Sequence, residues 1–310
     1  VTSLLKPNAV PRDALVAVVS PASTPKADRV EMGVDALHAL GYATHSSDHI
    51  ITRGPLYFAG TPEMRLRDLH HAFADDEVRA IFCTRGGYGS NYLLEGLDLD
   101  LIGESSKPFV GYSDLTAPQL WLLDQAQLPV FHGPMISADF AREGGVHEAS
   151  LFAALAGETY SVGAAEGLRT LHPGRVRGTL YGGCLSILVS LLGTPYEPQT
   201  EGKLLFLEDV NAKPYQIDRM LWQLAQAGKL DGVKGIVFGE MLDCHTPGAP
   251  AELLDEVILR VFDNFHGPIA IGLRSGHVSG PNVTLTFGVE AELIANHEAN
   301  LHLLEPAVTP

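Results

Sequence analysis

Four short segments of the 310-residue chain carry residue types that could do chemistry, and each follows an apolar run. Gly111-Tyr112-Ser113-Asp114-Leu115 sets a serine between the run Pro108 to Gly111 and a further apolar stretch. A sharp strand-to-helix turn lifts such a hydroxyl out of a sheet and aims the unpaired N–H groups of the helix start at the same spot, where they can stabilise an oxyanion. The spacing gives the first half of a G-x-S-x-G elbow, with Leu115 where the second glycine would stand; it also suits a serine that only caps a helix. Arg85-Gly86-Gly87-Tyr88-Gly89 follows Ala80 to Cys83. It lacks the phosphate-loop spacings, so it reads either as an oxyanion or carboxylate cradle anchored by Arg85 or as a plain glycine turn.

Glu208 closes the run Lys203 to Leu207, with Asp209 turned to the other face. A carboxylate there can orient a histidine and stabilise its imidazolium, or it can cap the next turn. His277 lies in the glycine-flanked segment Arg274 to Gly280 and is one of 13 histidines, so it is either a general base or a solvent-exposed loop residue. A serine nucleophile needs a base, and the base needs an orienting acid. The chain order Ser113, Glu208, His277 supplies these in the order used by α/β-hydrolases.

These segments need a scaffold, and short apolar runs alternating with amphipathic stretches predict βα units around a parallel sheet. Strands are expected at Ala14 to Ser20, Tyr42 to His45, Ala80 to Cys83 and Pro108 to Gly111. Helices are expected through Val30, Val34, Leu37 and Leu40 up to Gly41, from Thr61-Pro62 through Phe73, and from Asp114 to about Gln127. From Ala141 to Pro173 no apolar period holds, which places the domain connection there. The resulting division is an N-terminal domain over 1–145, a connection over 146–174 and a C-terminal domain over 175–310. In the last of these, strands are expected at 175–180, 203–207, 235–239 and 268–271, with a β-rich tail from Val283. Ile217, Met220, Leu221 and Leu224 form one helical stripe.

Composition narrows the partners. With 45% hydrophobic and 19% charged residues the chain has ample material for a folded core. A formal charge of −16 without any Lys/Arg cluster opposes nucleic-acid and anionic-membrane binding. No apolar run reaches the roughly 18 residues of a membrane span and no signal segment opens the sequence, which predicts a cytoplasmic protein. Cys83, Cys184 and Cys244 are odd in number and far apart, which argues for incidental buried thiols over a disulfide framework or zinc knuckle.

Taken in order, the motifs resemble the serine LD-carboxypeptidases, a family that includes murein tetrapeptide carboxypeptidases and microcin C self-immunity peptidases. The resemblance runs through Leu5-Lys6-Pro7, Val18 to Ser23, Ala59-Gly60-Thr61 with Arg65, Arg67-Asp68-Leu69, Ala72-Phe73, the Arg85 to Gly89 loop and Gly111 to Thr116. It continues through His132 to Met135, Gly182-Gly183, Leu191 to Pro195, Leu207 to Val210, Tyr215 to Leu221 and Gly276-His277. It implies an α/β fold: an N-terminal parallel-sheet, Rossmann-like domain of the class I glutamine amidotransferase type, and a smaller C-terminal α/β domain with a β-rich end. It further implies Ser113 as nucleophile, His277 as general base and acid, and Glu208 as its orienting partner. The amides of Asp114 and of the glycine loop at Gly86 and Gly87 would form the oxyanion hole, and Arg85 would hold the substrate carboxylate. Cys184 departs from the pattern, since relatives commonly have asparagine after Gly-Gly.

The activity implied is release of a C-terminal D-alanine from a muropeptide tetrapeptide in cell-wall recycling, by a homodimer with no metal or cofactor. Three other readings compete. They are an immunity peptidase acting on peptidyl- or aminoacyl-nucleotides, a two-domain small-ligand binding protein, and a metallohydrolase using His70 and His71. Adjacent helical residues point about 100° apart, so that last pair is a poor chelate.

Overall fold

The computed structural model describes residues 4–310. Its strands are β1 (Leu15–Val19), β2 (Ala43–Ser46), β3 (Val78–Cys83), β4 (Phe109–Gly111), β5 (Val130–His132), β6 (Tyr160–Val162), β7 (Arg169–His172), β8 (Gly174–Cys184), β9 (Lys203–Glu208), β10 (Gly235–Gly239), β11 (Ile269–Leu273), β12 (Leu285–Phe287), β13 (Glu290–Ala295) and β14 (Ala299–Leu303). Its α-helices are α1 (Ala27–Ala39), α2 (Pro62–Ala74), α3 (Leu99–Glu104), α4 (Thr116–Asp124), α5 (Glu148–Ala156), α6 (Leu185–Ser190), α7 (Pro214–Gln226) and α8 (Leu253–Val261).

Two compact units result. The first takes the chain up to Glu158 together with Gly280–Gly288 and Pro306–Pro310; the second takes Thr159–Ser279 and Val289–Glu305. In the first, one sheet has the order β12-β5-β4-β3-β1-β2. β1 to β5 run parallel and β12 closes the edge antiparallel to β5. Val16, Val18, Ala80, Ile81, Phe82, Phe109 and Val110 are all buried, as expected where helices cover both faces of a parallel sheet. Pro62 opens α2 behind Thr61, whose side chain accepts the Met64 N–H, so this helix start forms as the Thr-Pro pair predicts.

The second unit is an eight-stranded sheet ordered β6-β14-β13-β8-β9-β10-β11-β7. Its centre, β8 to β11, is parallel; its flanks are antiparallel. On α7, Ile217, Leu221 and Leu224 are fully buried, each burial worth about 1.5–3 kcal/mol. Met220, expected in the same stripe, is only half-buried.

The structure divides the chain differently from the expected boundaries at two places. Residues 146–174, expected as a connection, hold α5, β6 and β7. β6 and β7 are three- and four-residue edge strands whose partners, β14 and β11, lie far along the chain, so no local period reveals them. The tail is also shared between the units, because Leu285–Phe287 pair with Val130–His132 of the first sheet. The end follows the same course: Thr309 exchanges backbone hydrogen bonds with Pro7 and Ala9.

Candidate active site

In an open sheet of order 2-1-3-4-5, connections leave in opposite directions from β1 and β3, and the crevice at their carboxyl ends is where ligands bind. The loop after β1 and the loop after β3 meet there. Ser23 N–H donates to the Gly86 carbonyl (3.3 Å), and the Tyr88 N–H donates to Ser23 Oγ (3.0 Å). The next strand, β4, delivers Ser113.

Ser113 has φ +66°, a left-handed conformation that costs a non-glycine residue energy and marks a strained strand-to-helix turn. The capping alternative fails, because Tyr112 occupies the cap position of the short helical turn Ser113–Leu115. The glycine loop presses against this serine. A Cβ on Gly86 would lie 2.8 Å from Ser113 Cβ, 2.9 Å from Oγ and 3.0 Å from the Asp114 nitrogen. Arg85 is half-buried and its Nη1 donates to the Thr24 carbonyl at 3.4 Å. Gly87 has φ +102°.

Three supporting residues carry the loops and were not singled out as site residues from sequence. Ser23 ties β1 to β3, as above. Ser90 donates its N–H to Asp114 Oδ2 (2.8 Å) and its hydroxyl to the Asp114 carbonyl (2.6 Å). Arg65, 2% exposed, donates through Nη1 to the carbonyls of Pro21 (2.8 Å) and Gly89 (2.7 Å). Burial pushes its guanidinium below the ordinary arginine pKa, opposed by the nearby Asp114 carboxylate. Burial likewise pushes the Asp114 carboxyl up, opposed by the Ser90 hydrogen bonds and by Arg65. A signal for Arg65 existed: it occupies the same α2 stripe as Leu69, Ala72 and Phe73, where a charge is unexpected.

In the second unit the two carboxylates at the end of β9 divide the work. Asp209 is the capping one, accepting the Ser186 N–H at the start of α6 (2.8 Å) and the Val210 N–H (2.8 Å). Glu208 is fully buried and turns to His277: Oε2 accepts the His277 backbone N–H at 3.0 Å and lies 2.8 Å from Nδ1. The His277 side chain is 19% exposed, so it is not a solvated loop histidine. Gly276 makes this grip possible, with φ +93° and a hypothetical Cβ only 2.6 Å from Glu208 Cδ. Cys184 is the register partner of Glu208 across β8 and β9. Burial, and then the charges of Glu208 and Asp209, push its thiol well above the ordinary range.

The structure therefore assembles Arg85, Gly86, Gly87, Ser113 and Asp114 in one unit and Glu208 and His277 in the other. His70 and His71 are not assembled as a chelate. His70 Nε2 accepts the Asp98 N–H (3.2 Å), while His71 lines a separate cavity of about 400 Å³ with His45, Asp48 and Asp75. Among the described residues no helix is long and apolar enough to cross a membrane.

Both halves of the chain match the models of one protein family. Residues 16–133 match the LD-carboxypeptidase N-terminal domain and residues 177–293 the LD-carboxypeptidase C-terminal domain. A probable murein peptide carboxypeptidase of Bacillus subtilis is 37% identical over 293 residues, covering 93% of this chain and 91% of that protein. Among solved structures, an MccF-like protein from Bacillus anthracis superposes with a TM-score of 0.88 at 28% identity, covering 98% of this chain and 100% of that one. A muramoyltetrapeptide carboxypeptidase from Oxalobacter formigenes superposes with a TM-score of 0.84 at 27% identity, covering 96% of this chain and 100% of that one.

Proposed function

Because the chain belongs to the LD-carboxypeptidase family, a family of peptide-bond hydrolases, we propose that Ser113, His277 and Glu208 are its nucleophile, general base and orienting acid. The single observation that carries this reading is the buried Glu208 carboxylate holding both the backbone N–H and Nδ1 of His277. That grip fixes the ring and its tautomer, so Nε2 is the atom that takes and returns a proton. The strained backbone of Ser113 supports the other half of the proposal.

The chemistry then runs as acyl transfer. Ser113 Oγ attacks the carbonyl that joins an L-centre to a C-terminal D-amino acid, and its proton passes to His277. The Asp114 amide and an amide of the Gly86-Gly87 turn hold the oxyanion; losing one such donor costs about 3 kcal/mol of transition-state stabilisation. His277 returns the proton to the departing amine, and water, activated by the same imidazole, releases the acyl group. Arg85 holds the substrate's terminal carboxylate. The names of the Bacillus subtilis and Oxalobacter formigenes proteins support a muropeptide tetrapeptide as substrate, and the family resemblance adds D-alanine as the product. The family resemblance extends the proposal to cell-wall recycling in the cytoplasm by a homodimer.

Likeness to the MccF-like protein is in line with the immunity-peptidase branch of the family resemblance, which implies peptidyl- or aminoacyl-nucleotides as a second substrate class for the same triad. Membership in a peptidase family leaves no ground for the solute-receptor alternative. The test is mass spectrometry of a muropeptide tetrapeptide and of an aminoacyl sulfamoyl adenylate, each incubated with wild type, Ser113→Ala, Glu208→Gln and His277→Ala. Wild type is expected to shorten the tetrapeptide by one alanyl residue, Ser113→Ala and His277→Ala to be at least about 10³-fold slower, and Glu208→Gln about 10²- to 10⁴-fold slower. Full turnover by Ser113→Ala rejects the proposal.

A further inference from the structure

We infer that Cys184, Glu208 and His277 form a binding site for a thiophilic divalent metal ion of the zinc class. One donor atom from each, the thiol sulfur, a carboxylate oxygen and a ring nitrogen, all lie within 4.8 Å of one another. The backbone builds this meeting. Cys184 and Glu208 end neighbouring parallel strands as direct register partners, so their side chains leave the same face of the sheet. The loop after β11 then fastens His277 to Glu208 by its own N–H. Two of the three donors thus stand on the central strands of a rigid sheet, and the third is pinned to one of them.

The donor set selects the ion. Thiolate and imidazole suit borderline-soft ions, whereas magnesium and calcium take six or more oxygens. A divalent ion held by one thiolate, one carboxylate and one neutral imidazole forms a core with no net charge, which offsets the cost of burying it. Tetrahedral bonds of about 2.0–2.3 Å set ligand atoms about 3.3–3.8 Å apart, so the Glu208–His277 pair, now at 2.8 Å, widens and donors as far apart as 4.8 Å draw in, by movements of about 1 Å. Three bonds to the metal form; the hydrogen bond between His277 Nδ1 and Glu208 breaks as the ring proton moves to Nε2, which frees the Nδ1 lone pair for the ion, the thiol proton passes to solvent, and no oxidation state changes. The His277 side chain, 19% exposed, gives the ion a way in and leaves a fourth position for water. On the reading that His277 is the general base, an ion held here occupies the groups that hydrolysis uses, and it acts as an inhibitor.

Cobalt titration of the whole chain reads the site without using activity. Wild type is expected to give a thiolate-to-cobalt charge-transfer band with strong visible bands of tetrahedral type, saturating at one ion per chain and displaced by zinc. Cys184→Ser and Cys184→Ala, each checked for folding by circular dichroism, should abolish that band and weaken zinc binding at least about tenfold. Cys244→Ser keeps all three donors and should retain both. Absence of the band in wild type, its survival in both Cys184 variants, or its loss in Cys244→Ser overturns the site. Zinc that binds here yet leaves peptide hydrolysis unchanged would leave the site standing and overturn the catalytic reading of His277.

Discussion

At Gly86, one added methyl group would press into Ser113, the proposed nucleophile. The Gly86 backbone lies outside the left-handed region, so alanine is conformationally permitted and only the 2.8–2.9 Å approach to Ser113 excludes a side chain. Gly86→Ala is therefore expected to displace Ser113 and lower kcat/KM about 100-fold or more, since a displacement of about 1 Å at the reacting atoms has that effect. The folded state should be little changed, with a shift of only a few degrees in Tm. Steady-state kinetics beside a thermal melt checks this, and an alanine variant at full activity would exclude the loop from the reacting centre. Gly276 is a contrasting case, because both its φ of +93° and the nearby Glu208 Cδ forbid a side chain. Ser113, Glu208 and His277 were legible as candidates because reactive types at the ends of apolar runs are local signals. Ser23 and Ser90 were not, because their importance comes from partners 65 and 24 residues away.

Among the elements, α2 acts as a lever arm for the site. Thr61 fixes its start, Leu69, Ala72 and Phe73 seat it on the sheet, and Arg65 on the same stripe reaches the loops after β1 and β3. Arg65→Met keeps the stem's packing and leaves two loop carbonyls without their charged donor, a loss of about 2–4 kcal/mol. Urea denaturation should show that loss. Where the variant remains folded, kcat/KM should also fall, because Arg65 orders the segment that carries Gly86. Unchanged kinetics in the folded variant would confine Arg65 to stability. The central strands of both sheets and most of the long helices were readable in advance, because long apolar runs and 3.6-residue stripes are set by burial alone. β12 was not assignable to its sheet: three residues between segments of the other unit carry no trace of their pairing with Val130–His132. Edge strands and chain returns are decided by long-range pairing, which sequence periodicity does not record.

Across the whole molecule, the −16 formal charge conceals carboxyls that respond to pH in opposite senses. Glu292 is held below the usual carboxylate range by its hydrogen bond from Arg177 and by Arg175, so its contribution is present above the unfolded value and lost as pH falls. Asp139 behaves in reverse. It is buried in the helical turn Ile136–Phe140, accepts the Met135 N–H at 2.9 Å, and burial raises its pKa to about 6 despite that bond. A raised folded-state value means that the neutral acid is the form the fold prefers. Its stabilisation is fully present below the ordinary aspartate value of 3.8 and is lost as pH rises through about 6. The Asp139→Asn substitution keeps a side-chain acceptor for the Met135 N–H and carries no charge at any pH. The variant should therefore gain stability relative to wild type between pH 4 and pH 7, by up to about 3 kcal/mol. Urea unfolding of both proteins at the two pH values measures the gain. A difference that does not change with pH would show that Asp139 is ionised in the fold throughout and that its burial is offset by its neighbours.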